Sequence, residues 1–97
     1  MQLLFAPLAQ SDLEEIGDYI ALDNRPRARS FVRELRALCR KIVDNPLAFP
    51  AREDLAPGLR VVPYGYYLIF YRPIDTTLRI ERILHSARDL GMLFNGS

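Results

Sequence analysis

Tyr66-Tyr67-Leu68-Ile69-Phe70-Tyr71 is an unbroken run of apolar and aromatic side chains with no polar face. A strand of that kind wants a neighbour along each edge and cover on at least one face, so the run predicts the central strand of a sheet. Two further β-rich runs flank it, Leu59–Pro63 and Thr77–His85. Pro63-Tyr64-Gly65 and Pro73-Ile74-Asp75-Thr76 separate the three. Connections this short, built from turn-forming Pro, Gly and Asp, join antiparallel neighbours. The stretch from Gly58 to Leu90 therefore predicts a three-stranded meander. The register of its last strand stays open, because Ile80 and Ile83 can share a face only across a bulge.

The residues before the meander predict what covers it. Gln2–Ala6 is a short apolar run ended by Pro7, long enough for one strand. A helix follows, starting either at Pro7, where a missing N–H costs nothing, or at Ser11, where Glu14 completes a capping box. Ala9, Leu13, Ile16 and Ile20 mark its apolar face and place the acids on the other. Asn24 is a good N-cap for a second helix with Pro26 in its first turn. Ala28, Phe31, Val32, Leu35, Leu38, Cys39 and Ile42 form its apolar stripe, and Asp44-Asn45-Pro46 stops it. So short a link predicts an antiparallel helical hairpin, with an acidic helix modestly attracted to a basic one. Leu47–Pro57 reads as an ordered loop, and Ala87–Phe94 as a last helical turn or a tail. The expected fold is α+β: an N-terminal strand and a helical hairpin packed on one face of a mainly antiparallel sheet of about four strands. The first strand joins either an edge of the meander or the middle of the sheet. Residues 1–97 make a single domain.

Charge distribution limits the function classes. The net charge of +1 argues against binding nucleic acid by bulk electrostatics. Residues 1–24 carry Asp12, Glu14, Glu15, Asp18 and Asp23 and no base. Residues 25–44 carry Arg25, Arg27, Arg29, Arg33, Arg36, Arg40 and Lys41 against only Glu34 and Asp44. All the bases but Lys41 are Arg, which favours planar, bidentate contacts with carboxylates or phosphates. The lone Cys39 excludes an internal disulfide or a multi-cysteine zinc site. No apolar run is long enough to span a bilayer and the N-terminus lacks a secretory pattern, so a cytoplasmic protein with no membrane contact is expected.

No Gly-rich phosphate loop, metal-spaced histidine pair or nucleophile elbow is present, and no cofactor is expected. Cys39, on the apolar stripe, reads as a small buried hydrophobe. His85, the only histidine, is either a general acid or base or a half-buried imidazole bonded to Asp89 or a backbone carbonyl. Arg60, Arg72, Arg79, Arg82 and Arg88 either form a small basic surface or pair internally with Glu81, Asp89 or Glu53. Tyr64, Tyr66, Tyr67, Tyr71 and Phe70 could stack bases, but alternation sends at least half of them into the core.

In order and spacing these pieces resemble the RelE/ParE toxin superfamily of type II toxin–antitoxin systems, and its ParE branch more closely. The resemblance covers nearly the whole chain. It is carried by the opening strand, Pro7, Asp12-Leu13-Glu14-Glu15-Ile16, Tyr19-Ile20, Asn45-Pro46, Gly58-Leu59-Arg60 and Tyr67-Leu68-Ile69-Phe70-Tyr71-Arg72. The most specific element is Ile80-Glu81-Arg82-Ile83-Leu84-His85-Ser86-Ala87-Arg88-Asp89. The resemblance implies the same fold and a cognate antitoxin that wraps the toxin as a hetero-oligomer. It implies one of two activities, poisoning of DNA gyrase by ParE-like members or ribosome-dependent mRNA cleavage by RelE-like members. The chain lacks the lysine-rich loop of the nucleases and has no Tyr near its C-terminus. The ParE-like reading, a protein that acts by binding rather than as an enzyme, is therefore preferred. Its expected contacts are Arg29, Arg33, Arg36 and Arg40 on the hairpin and Arg88 near the C-terminus. The nuclease alternative would centre on Arg60, Arg82 and His85. A third reading is a non-toxic module that only binds its antitoxin.

Overall fold

A computed structural model describes residues 1–95. In chain order the elements are β1 (Gln2–Phe5), α1 (Pro7–Ala21), α2 (Arg25–Asp44), β2 (Arg60–Tyr64), β3 (Tyr67–Ile74), β4 (Thr77–His85) and α3 (Leu90–Asn95). The sheet runs β1-β4-β3-β2. β2, β3 and β4 form the expected antiparallel meander, and β1 joins its edge beside β4, in parallel. Ile69, Phe70 and Tyr71 of the central strand are fully buried.

The turns are tighter than expected. Each hairpin closes through two residues, Gly65-Tyr66 and Asp75-Thr76. The first residue of each is left-handed, Gly65 at φ 58° and Asp75 at φ 51°, which glycine and short polar residues tolerate best. Tyr66 is thereby displaced from the strand into a turn. Pro63 and Pro73 lie within strands rather than in the turns, opposite Leu68 and Leu78. Both positions have an open side: β2 is an edge strand, and Pro73 lies beyond the end of β2, whose Arg60 pairs with Tyr71. The register of β4 is also resolved. Phe70 pairs with Arg82 and Tyr71 with Ile80, so Glu81 is the extra residue of a bulge. That shift lets Leu78, Ile80 and Ile83 all join the core beneath the helices.

Two apolar clusters hold the sheet. On one face, α1 and α2 bring Leu13, Ile16, Phe31, Leu35, Cys39 and Ile42 against the sheet. On the other, Leu55, Leu59, Phe70 and Leu84 are covered partly by α3, with Phe94 and Phe70 ring centroids 4.8 Å apart. Of the two possible helix starts, Pro7 is the one adopted: the Ser11 hydroxyl donates back to the Pro7 carbonyl inside α1 instead of capping it. Asn24 caps α2 as expected, its Oδ1 accepting the Arg27 amide at 3.0 Å. The loop between α2 and β2 is pinned by two side chains from the sheet. Tyr71 donates its hydroxyl to the Pro46 carbonyl at 2.6 Å, and Arg60 Nη1 donates to the Phe49 carbonyl at 2.6 Å.

The acids of α1 do not all face away from the core. Asp12 is only 6% exposed. β1 stops at Phe5, opposite Ile80, so the edge of β4 beyond it has no strand partner. Asp12 fills that gap by accepting the Ile83 amide at 2.9 Å and a bidentate pair of bonds from Arg82 at 2.8 and 3.0 Å. The internal partner of Arg82 is therefore Asp12, not Glu81, Asp89 or Glu53. Among the described residues, no helix is long and apolar enough to cross a membrane.

Candidate partner-binding site

The outer surface of the helical hairpin carries a groove of about 720 Å³ between α1 and α2. Small and apolar residues make its floor: Leu13, Gly17 and Ala21 from α1, Ala28 and Val32 from α2. Their short side chains keep the seam shallow and open. One bank is cationic, lined by Arg25, Arg29, Arg33 and Arg36, whose spacing of three and four residues puts them on one side of α2. Glu14 and Asp18 line the other bank.

The two banks do not neutralise each other by contact. Among the described residues no ion pair joins α1 to α2, so the expected attraction between an acidic and a basic helix takes no paired form. The ion pair on α2 is Arg27 with Glu34, at 2.6 Å. Hydrogen bonds from Arg27 and from the Tyr64 hydroxyl hold the Glu34 carboxyl below its ordinary range. Arg36 lies over the Phe5 ring at 5.4 Å, a cation–π contact that steadies its stem and leaves its donors in solvent. An apolar seam edged by arginines with no carboxylate on them is shaped for an amphipathic segment bearing acids.

Of the arginines expected at an interface, Arg29, Arg33 and Arg36 line this groove. Arg40 is exposed on α2 but does not line it. Arg88 lies elsewhere, in a small recess with Glu15, Tyr19, Tyr67 and His85. Arg25, Glu14 and Asp18 extend the site beyond the expected set. Gly17, Ala21 and Ala28 were the signal for it, small residues where two helix faces meet.

The trio considered for nuclease chemistry is not gathered at one place. Arg60 is bonded to the 47–49 loop backbone, and Arg82 to Asp12. The hydrogen bonds that Arg82 donates to Asp12 push its pKa up, so it stays a cation locked in a structural pair. His85 is exposed at the end of β4, stacked on Tyr66 at 6.1 Å and edge-on to Tyr67 at 5.4 Å. Its Nδ1 accepts the Ala87 amide at 3.1 Å. Cys39 lies fully buried, and burial pushes its thiol up to about 12.

Comparison with known proteins places this architecture. The family model for the ParE toxin of the type II toxin–antitoxin system parDE matches residues 3–90. The chain belongs to the ParE toxin family. Toxin ParE1 of Mycobacterium tuberculosis is 32% identical over 92 residues, covering 90% of this chain and 91% of the relative. Among solved structures, a chain of the chromosomal ParDE toxin–antitoxin system of P. aeruginosa is similar with a TM-score of 0.74. It is 22% identical and covers 88% of this chain and 95% of its own, a likeness of fold. A chain of the M. tuberculosis toxin–antitoxin complex RelBE2 is similar with a TM-score of 0.64 at 26% identity, covering 87% and 95%. As a ParE-family toxin, the protein is a component of a type II toxin–antitoxin system.

Proposed function

We propose that this ParE-family toxin inhibits growth in the cytoplasm by binding DNA gyrase, and that a cognate antitoxin neutralises it by occupying the hairpin. The observation that carries this reading is the contrast between two sets of arginines. Arg60 and Arg82 are bound to the protein itself, away from His85. Arg25, Arg29, Arg33 and Arg36 line an open apolar groove with no ion pair among the described residues. A toxin that works by occupation needs such a surface, whereas phosphoryl chemistry needs its cations and its proton carrier converging on one atom. The antitoxin segment that fits is an amphipathic helix with apolar residues toward Leu13 and Val32 and acids toward the arginine bank.

Controlled expression without antitoxin tests the activity, following DNA-damage response and plasmid supercoiling beside bulk translation. Induced damage with translation initially intact is expected. A rapid translation block with cleaved messages overturns the gyrase reading, and normal growth supports the non-toxic, antitoxin-binding alternative. Charge reversal of Arg29, Arg33 and Arg36 together should abolish toxicity while leaving the folded spectrum unchanged. The ribosome-dependent mRNA endoribonuclease remains a second reading on one observation, the recess where His85, Arg88 and Tyr67 meet. His85→Gln or Arg88→Ala variants that keep full toxicity eliminate it.

A further inference from the structure

On the sheet face away from the hairpin, Arg72 of β3 and Arg79 of β4 are direct cross-strand partners. Like charges in that relation repel, and a sheet holds them only with a counter-charge between. Glu81 supplies it. The β4 bulge frees Glu81 from the pairing ladder, and its carboxylate is shared unequally: Oε1 lies 2.6 Å from Arg79 Nε, Oε2 3.5 Å from Arg72 Nε. The second contact is an ion pair without a hydrogen bond. Arg72 Nε is shielded from solvent and has no acceptor in the structure. A shielded cationic donor without an acceptor is a group that a ligand completes.

A recess of about 390 Å³ opens over this cluster. Arg72, Arg79, Glu81 and Arg82 line it, and Arg82 is already balanced by Asp12. Two guanidiniums thus share one carboxylate, leaving one positive charge over. The rest of the wall is apolar, made by Leu8, Ala56, Leu93 and Phe94, and Leu8 is 59% exposed. We propose that this recess is an oxyanion site that receives an aspartate or glutamate side chain, set beside an apolar residue, from the toxin's protein partner. The planar fork of Arg72 and Arg79 matches a carboxylate, and the apolar wall suits its neighbour. A phosphate backbone is a poorer occupant, because this recess holds one unbalanced positive charge rather than a cationic track. Glu81 is the internal competitor that the incoming carboxylate relieves of Arg72. The proposal takes only the existence of a protein partner from the reading above.

The test uses the isolated toxin and a capped Leu-Glu-Leu peptide, with Leu-Gln-Leu and inorganic phosphate as controls, read on the arginine Nε–Hε signals by NMR. The Glu peptide should move the Arg72 and Arg79 signals saturably in the millimolar range expected of a single exposed contact. The Gln peptide should not. Glu81→Gln should tighten binding by about two- to fivefold, the scale of one part-exposed ion pair removed as competitor. Arg79→Gln should abolish the response; being at a part-exposed position, it carries the test if Glu81→Gln does not fold. Absence of a saturable shift, an equal response to the Gln peptide, or a response to phosphate alone overturns the proposal. The readout needs neither antitoxin nor gyrase. Its failure therefore leaves the partner reading standing, and a failed toxicity assay leaves this one standing.

Discussion

Asp12→Ala should be among the most damaging single substitutions in this chain, although it removes one small side chain from a surface helix. The carboxylate receives three hydrogen bonds, two from Arg82 and one from the Ile83 amide, in a place only 6% exposed. Leaving the Ile83 N–H without an acceptor costs about 1–3 kcal/mol. Breaking a buried ion pair from one side costs about 3–5 kcal/mol, because the other charge stays behind. The Arg82 side chain is 19% exposed and can turn part of its guanidinium to water, which lowers the total. We expect about 3 kcal/mol, a large share of the ~5–15 kcal/mol that holds a domain together. In a domain of this size that lowers Tm by roughly 12–24 °C. Urea and thermal unfolding with circular dichroism measure both. Asp12→Asn, which keeps an acceptor for the amide but loses the charge, should fall between the two. Asp12→Leu combined with Arg82→Met should recover the ion-pair part of the loss, since apolar replacement of a whole buried pair is often neutral, and keep only the cost of about 1–3 kcal/mol for the Ile83 N–H left without an acceptor. A cost below about 1 kcal/mol for Asp12→Ala would refute the reasoning.

Tyr71→Phe removes the hydroxyl that reaches the Pro46 carbonyl and should cost about 1 kcal/mol, with protease sensitivity rising first in the 46–59 loop. Gly65→Ala forces a Cβ into a left-handed turn at φ 58° and should cost about 1–2 kcal/mol, whereas Asp75→Gly at φ 51° should be neutral or stabilising in the same denaturation series. Cys39 makes the native state less stable in alkali. Its thiol, neutral in the fold up to about 12, ionises in the unfolded chain near its ordinary value of 9.0, so the unfolded state holds fewer protons between those values and stability falls as pH rises. The difference between wild type and Cys39→Ala, measured by urea unfolding across that window, should shrink with pH by up to about 1.4 kcal/mol per unit, and a constant difference would count against burial of the thiol. Toxin–antitoxin affinity should weaken with added salt if arginines of the groove make the contact, and Arg33→Glu should flatten that dependence.

The layout of strand, helical hairpin and meander was legible because apolar spacing is a strong signal, four-three-four in Ala9, Leu13, Ile16 and Ile20 and an unbroken run in β3. Asp12 was misplaced for a reason that can be named. Ala9, Asp12, Leu13 and Ile16 share one helix face, so the spacing already put Asp12 on the buried stripe, and only its charge argued otherwise. The prolines misled in the opposite way. Pro63 and Pro73 are tolerated in strands because each has an unpaired side, and edge positions are not visible before the sheet is assembled. Ile80 and Ile83 required a bulge to share a face, and Glu81 supplies it. The hairpin groove was half visible, in its run of arginines, while its floor depended on how closely α1 and α2 approach.

The parallel pairing of β1 with β4 has a consequence for biosynthesis. Gln2 finds its partner in Thr77, and Asp12 finds the Ile83 amide, so β1 and α1 close one seam along β4. β1 is made before β4 and must wait, unpaired, until β4 has left the ribosome. Contacts this distant in sequence form late and slowly. A nascent chain is therefore incomplete until β4 emerges, and every prematurely terminated chain that lacks β4 lacks the seam as well. Closure of the fold waits for β4, which lengthens the interval in which an antitoxin already present can meet the chain before its fold is complete.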